Sequence, residues 1–312
     1  GAVDSSILER TFMDFGQVEA FVQVSAHSSF SRAAEVLQLT QPSITARIQS
    51  LEREVGEELF ERGGRGVRMT DAGLAFLPHA ERILRTLVEG RDAIDEVRNV
   101  QLGSLQLGSA LTVSTYVLPR ILHAFRSQYG GVDVSIRTGR SEQVLSMLQA
   151  DEVHVGIVRS LTHPDVETVH LYDDEIVLSV NPEHPFTASG TATVEDAASE
   201  PIVLFDRGSS YFGLIHGFFR QAGVVPNVAM ELDSLEATKR MVEEGLGVAL
   251  VPLVTIEREL ETGMLVKIEI VDAPPLKRPI SLIYKKHRKR PRTVQAFIDT
   301  LAEMYALSLP VA

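Results

Sequence analysis

Apolar and polar positions between residues 29 and 55 follow helical spacing. The apolar positions form two stripes, which predicts two short amphipathic helices joined by a tight turn; they are Ala33, Ala34 and Leu37, then Ile44, Ile48, Leu51 and Val55. Ser31 is the predicted N-cap of the first helix and Thr40 that of the second. Pro42 falls in the first turn of the second helix, where its missing N–H has no consequence.

The other side of the second predicted helix is polar. It carries Ser43, Ala46, Arg47 and Ser50, flanked by Gln41, Thr45 and Gln49. These side chains are short or polar and none is acidic, as a helix that enters the major groove of DNA requires. Arg47 is the expected base-contacting residue. The alternative is an ordinary helical hairpin whose polar side faces water.

An arginine-rich and glycine-rich segment comes next. Arg62, Arg65 and Arg68 are interleaved with glycines, and no carboxylate follows Glu61 until Asp71. This pattern predicts a two-stranded wing whose arginines contact DNA phosphates beside the groove. The alternative is a surface hairpin with solvated arginines, and the order helix, turn, helix, wing argues against it.

A long helical pattern begins at Thr70, a predicted cap, and continues to about residue 99. Its heptad seam is apolar except at one arginine; the seam comprises Leu77, Ala80, Leu84, Leu87, Arg91 and Ile94. Phe76, Ile83 and Val88 widen the stripe. The small winged domain cannot bury a stripe of this length alone, which favours a dimerisation helix. The alternative is packing against the C-terminal domain of the same chain.

From residue 103 onward, strand-like and helix-like segments alternate. Two successive βαβαβ runs predict two open α/β lobes, lobe I at about 101–173 and 277–312 and lobe II at about 174–276. A last strand, Ile280–Tyr284, and a last helix, Arg292–Tyr305, return to complete lobe I. Crossovers near 172–176 and 272–278 then form a hinge.

Hydroxyl-bearing residues follow the predicted strands of both lobes. Ligands of open α/β sheets bind beyond the carboxyl ends of the strands, where helix N-termini offer free N–H groups. Hydroxyls in this position suit a carboxylate or another small anion, with Arg159 or Arg207 as the counter-charge; the residues are Ser109, Thr112, Ser141, Ser209, Ser210 and Ser234. The alternative is that each hydroxyl simply caps its helix.

The composition excludes several classes of protein. The chain of 312 residues has no cysteine, which excludes disulfides, cysteine-ligated metals and thiol redox sensing. Its nine histidines show no ligand spacing, so neither a metal nor another cofactor is expected. The chain has no apolar run of membrane-spanning length and no apolar leader, which predicts a cytoplasmic protein.

The net charge of −12 does not exclude DNA binding, because affinity depends on local neutralisation of phosphates. Between residues 36 and 51 the only charged residue is Arg47. A DNA surface with so little charge predicts that several domains bind together, which indicates an oligomer.

Several motifs, with their spacing kept, resemble the LysR-type transcriptional regulators. The motifs are Ser-Phe-Ser-Arg-Ala-Ala-Glu-Val-Leu at 29–37, Thr-Gln-Pro-Ser at 40–43, Arg-Ile-Gln-Ser-Leu-Glu at 47–52, Leu-Phe-Glu-Arg at 59–62 and Met-Thr-Asp-Ala-Gly at 69–73. The resemblance extends more loosely over nearly the whole chain. One departure is that many members have Ser-Arg where this chain has Thr45-Ala46, so Arg47 takes the place of the family's base-contacting arginine here.

The resemblance implies an α/β protein with a winged helix-turn-helix domain at 1–69, a linker helix at 70–100 and an effector domain at 101–312, whose two lobes resemble periplasmic solute-binding proteins. It implies a homodimer through antiparallel linker helices, a homotetramer, and contact with RNA polymerase. Ser31 and Arg32 join the residues expected to contact double-stranded DNA, and Ser109 and Thr112 lie nearest the effector. The alternative function is a cytoplasmic small-molecule-binding protein, or an enzyme that uses the two-lobed cleft.

Overall fold

The computed structural model describes residues 13–61, 67–98, 103–205, 207–286 and 290–307. The chain divides into two units, residues 1–98 and 99–312. Within the described ranges, no helix combines the length and the apolar composition that a membrane span requires.

The described part of the first unit is helical. Its helices are α1 (Phe15–His27), α2 (Phe30–Val36), α3 (Gln41–Val55) and α4 (Asp71–Arg98). Asp14 and Gln17 form a capping box at the start of α1, and Thr40 caps α3 as predicted. The prediction for α2 was wrong by two residues: Ser29 is the cap, since its hydroxyl accepts from the Arg32 N–H, and Ser31 lies inside the helix.

The apolar stripes predicted for α2 and α3 form the centre of this unit. Ala33, Ala34, Ile44, Ile48 and Leu51 are buried around Phe21, whose ring lies 5.3 Å from that of Phe60. Val55, the last residue of α3, is 36% exposed, so the predicted stripe ends one step earlier, at Leu51. The core therefore fixes which side of α3 faces outward.

The second unit alternates strands and helices. Its elements are β1 (Ser104–Ala110), α5 (Leu111–Tyr116), α6 (Leu118–Gln128), β2 (Asp133–Gly139), α7 (Ser141–Gln149), β3 (Val155–Arg159), β4 (Val166–Val180), β5 (Thr191–Ala192), α8 (Val194–Ser199), β6 (Ile202–Phe205), α9 (Ser210–Gln221), β7 (Val228–Leu232), α10 (Leu235–Glu243), β8 (Ala249–Pro252), α11 (Glu257–Thr262), β9 (Val266–Ile270), β10 (Leu276–Lys285) and α12 (Arg292–Tyr305). Short 3₁₀ turns occupy Pro185–Ala188 and Leu253–Thr255.

Two long antiparallel strands connect the lobes. The sheet order is β2-β1-β3-β10-β4-β9-β5, with β8 also paired to β4, and β6 pairs with β7. The crossovers predicted near 172–176 and 272–278 belong largely to strands: residues 172–176 lie inside β4, and β10 begins at Leu276 rather than Ile280. Cross-strand hydrogen bonding therefore continues through the hinge, with Arg278 opposite Asp174 and a register shift between Ile280 and Ser281.

Each lobe has its own apolar core. The lobe I core packs Phe125 of α6 and Phe297 of α12 against the sheet, and α12 follows β10 back into this lobe as predicted. The lobe II core packs Phe219 and Tyr211 of α9 against β4, β6 and β9. Helix α8 and strand β9 were not predicted from the sequence. The alternation of Val266, Ile268 and Ile270 with charged residues is a signal that could have identified β9.

Candidate DNA-binding and effector-binding sites

Helix α3 exposes one polar side to solvent. Its buried residues Ile44, Ile48 and Leu51 fix this orientation. The exposed residues of the opposite side include Gln41, Pro42, Ser43, Ala46 and Gln49. Thr45 is half-buried, and its hydroxyl donates to the Gln41 carbonyl at 3.1 Å. The chemistry of this side is hydrogen-bonding and uncharged, which suits base edges in a major groove.

Two residues predicted to contact DNA from α3 make hydrogen bonds within the first unit instead of projecting freely. The Arg47 guanidinium donates through Nη1 to the Gly16 carbonyl at 3.2 Å. The Ser50 hydroxyl donates at 3.3 Å to Glu54 Oε1, which also accepts from Gln17 Nε2. These bonds fix α3 on the first turn of α1, a role that the sequence pattern alone did not indicate.

Ser31 and Arg32 are exposed at the start of α2. The Ser31 hydroxyl lies 3.3 Å from Gln41 Oε1, so α2 meets the first turn of α3 here. Arg32 pairs with Glu35 at 2.6 Å, and both side chains are 65% exposed, so this surface pair holds the arginine weakly.

The base of the wing is an antiparallel pairing. Phe60 bridges Met69, the Glu61 N–H donates to the Arg68 carbonyl at 2.9 Å, and the Thr70 N–H donates to the Leu59 carbonyl. Arg68 is exposed beside this pairing. Arg62 and Arg65 lie outside the described residues. The described residues therefore pair antiparallel on either side of the segment where the sequence predicts the wing.

Helix α4 buries its first turns within the unit and exposes an apolar stripe further along. Thr70 caps it, since its hydroxyl accepts from the Gly73 N–H at 3.1 Å. Of the predicted seam, Leu77, Ala80 and Leu84 join the core of the unit. Beyond them the apolar side chains are exposed, with Leu87 at 44%, Val88 at 57% and Ile94 at 61%. Among the described residues of this unit, these side chains join no apolar core.

A cavity of about 630 Å³ lies between the lobes of the second unit. Its walls come from the ends of β1 and β2 and the following helices of lobe I, and from the starts of α9 and α10 in lobe II. Five of the predicted residues line it: Thr112, Ser141, Ser209, Ser210 and Ser234. Ser209 and Ser234 also cap α9 and α10, so the capping role and the lining role coincide.

Three predicted effector residues do not line this cavity. Ser109 is fully buried in β1, where its hydroxyl donates to the Ala110 carbonyl. Arg159 does not line the cavity, and it pairs at 2.6 Å with Glu142, which does. Arg207 points outward, 72% exposed, and binds Glu231 through Nε and Nη2 at 2.6 and 2.5 Å. Neither arginine is therefore placed to be the counter-charge that the sequence analysis assigned to it.

The buried cation of the cavity is Arg278, which the sequence analysis missed. It lines the cavity from β10, and its guanidinium donates to Asp174 Oδ2 at 3.0 Å and to the Ser210 hydroxyl at 3.1 Å. One face of the guanidinium lies 3.7 Å from the ring centroid of Tyr211, whose hydroxyl also donates to Asp174. Burial raises the pKa of Asp174, against the opposing effect of Arg278.

The lobes also touch each other around the cavity. Thr112 of lobe I and Tyr211 of lobe II both line the cavity. Arg140 of lobe I lies against Gly208 of lobe II, so closely that a Cβ at Gly208 would be 2.4 Å from Arg140 Nη1. The Tyr116 hydroxyl of lobe I donates to the Glu236 carboxylate of lobe II. Among the described histidine and carboxylate side chains, no group of three is placed to hold a metal ion.

Both units match known families. Residues 15–74 match the family described as bacterial regulatory helix-turn-helix protein, lysR family, and residues 98–306 match the LysR substrate binding domain. CmpR, an HTH-type transcriptional activator of Synechocystis sp., is 29% identical over 287 residues, 91% of this chain and 93% of that protein. A probable RuBisCO transcriptional regulator of Trichormus variabilis is 32% identical over 298 residues, 93% of this chain and 88% of that protein. Full-length CbnR, solved in complex with its target DNA, has a TM-score of 0.76 at 27% identity, covering 93% of this chain and 99% of that chain.

Proposed function

This chain belongs to the LysR family of DNA-binding transcriptional regulators with an effector-binding domain, and from that premise we propose how it reads DNA and what it senses. The homologues are regulators rather than enzymes, which agrees with the expectation of a non-enzyme. The main support is the orientation of α3, whose buried side leaves Gln41, Ser43 and Gln49 exposed. No acidic residue occurs between residues 36 and 51.

In this proposal α3 enters the major groove of double-stranded DNA, with Gln41, Pro42, Ser43 and Thr45 nearest the bases. Thr40, Ser31 and Arg32 contact phosphates at its amino-terminal end, and Arg62, Arg65 and Arg68 contact phosphates from the wing. Arg47 fixes α3 on α1, and Ser50 bonds Glu54 of its own helix. Arg47 has five N–H donors and the described bond uses one of them, so its base contact stays a prediction.

A binding selection from random duplex DNA, followed by mobility shifts at several salt concentrations, tests this assignment. Gln41→Ala should relax sequence preference at one base pair, by about 1–3 kcal/mol. Arg68→Ala should weaken binding to all sequences alike and reduce the salt slope by about 1. Arg126→Ala in the effector unit is the matched control for charge, since Arg126 is also an exposed arginine. Equal salt slopes for Arg68→Ala and Arg126→Ala would contradict the wing assignment.

The exposed stripe of α4 supports a homodimer paired through this helix. We propose further that effector domains pair the dimers into a homotetramer. As in the family, this assembly would contact RNA polymerase. DNA binding also supports a cytoplasmic location. Ile94→Glu should lower the mass measured by light scattering, because it places a charge in the apolar stripe. Thr86→Glu, on the same helix and exposed, should leave the mass unchanged.

We propose that the effector is a small organic anion bound in the cavity between the lobes. The starts of α7, α9 and α10 direct backbone N–H groups toward this cavity, the hydroxyls of Ser209, Ser210 and Ser234 line it, and Arg278 provides a buried cation. A thermal-shift screen of small carboxylates, amino acids and sugar phosphates tests this class. A hit whose stabilisation survives Ser210→Ala together with Thr112→Val would contradict the cavity assignment.

A further inference from the structure

A buried lysine lies at the edge of the effector cavity, and a tyrosine from the opposite lobe covers it. Lys239 of α10 is 4% exposed. Its ammonium lies 2.9 Å from Glu259 of α11 and 3.3 Å from Glu236, all within lobe II. Tyr116, the last residue of α5 in lobe I, places its hydroxyl 3.5 Å from the ammonium and its ring centroid 5.4 Å away. The ammonium thus meets acceptors from both lobes.

Two hydrogen bonds of this cluster join the lobes, and both are made by the Tyr116 hydroxyl. An ammonium has three N–H donors, and Glu259, Glu236 and the Tyr116 hydroxyl supply one acceptor each. The Tyr116 hydroxyl in turn donates to Glu236. Ion pairs gain strength where water is excluded, and the Tyr116 ring is what lobe I contributes to excluding it. Opening the lobes would remove this ring and expose the ion pairs to water.

The cluster is separate from the Arg278 cluster described above. Arg278 and Asp174 belong to the two long strands of the hinge, whereas Lys239 and Glu259 belong to helices of lobe II. Tyr116 and Glu236 line the cavity, and Lys239 supports them from behind. The Tyr116–Glu236 contact joins the two lobes and is also part of the cavity wall, so its loss would change both the lobe arrangement and the shape of the cavity.

We propose that Tyr116 is a positioning residue for the effector response: through Glu236 and Lys239 it holds the lobes together before an effector binds. This inference rests on the proposed binding of an effector between the lobes. The contact stabilises the closed arrangement, so a larger fraction of the protein is competent to bind, and the apparent effector affinity rises by the same factor. Without the Tyr116 hydroxyl the closed arrangement loses a cross-lobe hydrogen bond.

The test measures the distance between the lobes without any effector. Because the chain has no cysteine, Asp165→Cys in lobe I and Glu261→Cys in lobe II can be spin-labelled cleanly in the full-length protein, mixed with excess unlabelled chain. Both positions are exposed. Tyr116→Phe keeps the ring and removes the hydroxyl, and it should raise the ratio of open to closed arrangements on the order of 2- to 10-fold.

The control is Tyr129→Phe, the same chemical change in lobe I, where Tyr129 stacks on Phe125 away from the cavity. Acetylation with acetic anhydride gives a second readout: Lys239 should react faster in Tyr116→Phe, and Lys267, whose side chain is already 39% exposed, should not change. Equal distance distributions in Tyr116→Phe and Tyr129→Phe, or unchanged Lys239 reactivity, would overturn the proposal. Since no effector is used, this result is independent of whether the anion screen succeeds.

Discussion

The DNA-binding unit and the effector unit each contain a buried carboxylate. The hydrogen-bond donors to these two carboxylates lie at very different separations along the chain. Glu52 of α3 accepts the N–H groups of Leu59 and Phe60, seven and eight residues further along the chain. Asp174 of β4 accepts from Tyr211, 37 residues away, and from Arg278, 104 residues away. The Glu52 carboxylate is therefore satisfied within one short segment that a sequence motif can encode, whereas the Asp174 carboxylate depends on contacts that only the folded sheet brings together.

Arg278→Met tests the effector-unit side of this comparison, and it has the largest expected effect on the free energy of unfolding. It leaves the Asp174 carboxylate buried without its cation, which typically costs about 3–5 kcal/mol. Hydrogen exchange of the full-length protein should show the loss in β4 and β10, while α1 to α3 keep their protection.

The double variant Arg278→Met with Asp174→Leu is the control for the ion pair itself. Replacing both partners by apolar residues is often neutral or stabilising, so the double variant should recover most of the stability. A single variant as stable as the double variant would show that the pair is dispensable.

The single variant Arg278→Met should also change how stability depends on pH. Burial raises the pKa of Asp174 in the folded state above that of the unfolded chain. Between these two pKa values the folded state binds more protons, so the contribution of Asp174 to stability falls as pH rises. Arg278 lowers the pKa of Asp174, so removing Arg278 should raise the pKa of Asp174 further. The stability deficit of Arg278→Met should therefore be larger at about pH 7 than at about pH 4, as measured by denaturant unfolding.

The difference in contact range explains what could be predicted from sequence. In the first unit, Thr40 and the stripe Ile44, Ile48, Leu51 lie within one segment, and the structure has them as predicted. The errors there are small and local, such as the cap at Ser29 instead of Ser31, since both are serines next to the same helix start.

In the effector unit most of the alternation of strands and helices was predictable, apart from elements such as α8 and β9, but the charges of the site were not. Arg159 and Arg207 follow strands in the expected way, yet they pair with Glu142 and Glu231 and do not line the cavity. Arg278 lies inside a strand, and no local pattern separates it from any other strand arginine. Its role comes from the β4–β10 register, which the sequence alone does not specify.

Glu52→Ala tests the local half of the comparison and has the next largest expected effect. It leaves the buried N–H groups of Leu59 and Phe60 without their carboxylate acceptor, which should cost about 2–4 kcal/mol in total. Hydrogen exchange should show the loss in the first unit, including the strand pairing at the base of the wing. Glu52→Gln keeps an acceptor oxygen and should cost much less, so equal losses in the two variants would contradict this role.

Two glycines extend the comparison from buried charge to close packing. A Cβ at Gly73, in α4, would be 2.2 Å from the Leu59 backbone oxygen, whereas a Cβ at Gly208 would meet the flexible Arg140 side chain. Gly73→Ala should cost about 1–3 kcal/mol, because backbone cannot move aside cheaply. Gly208→Ala should cost less, since Arg140 can swing away. Gly90→Ala, in α4 with open space around it, is the control, and it should be slightly stabilising in thermal unfolding.

The smallest expected effects come from two helix caps that are alike in stability and different in function. The Thr40 hydroxyl accepts from the Ser43 N–H at 3.4 Å, and the Ser234 hydroxyl accepts from the Ala237 N–H at 3.3 Å. Either residue replaced by alanine should cost about 1 kcal/mol, because one helix start loses its side-chain acceptor. Thr40→Ala should weaken DNA binding in mobility shifts and leave thermal stabilisation by a carboxylate hit intact. Ser234→Ala, which alters the cavity wall, should do the reverse. If both variants changed DNA binding and carboxylate stabilisation equally, the proposal that Thr40 serves the DNA surface and Ser234 the cavity would be wrong.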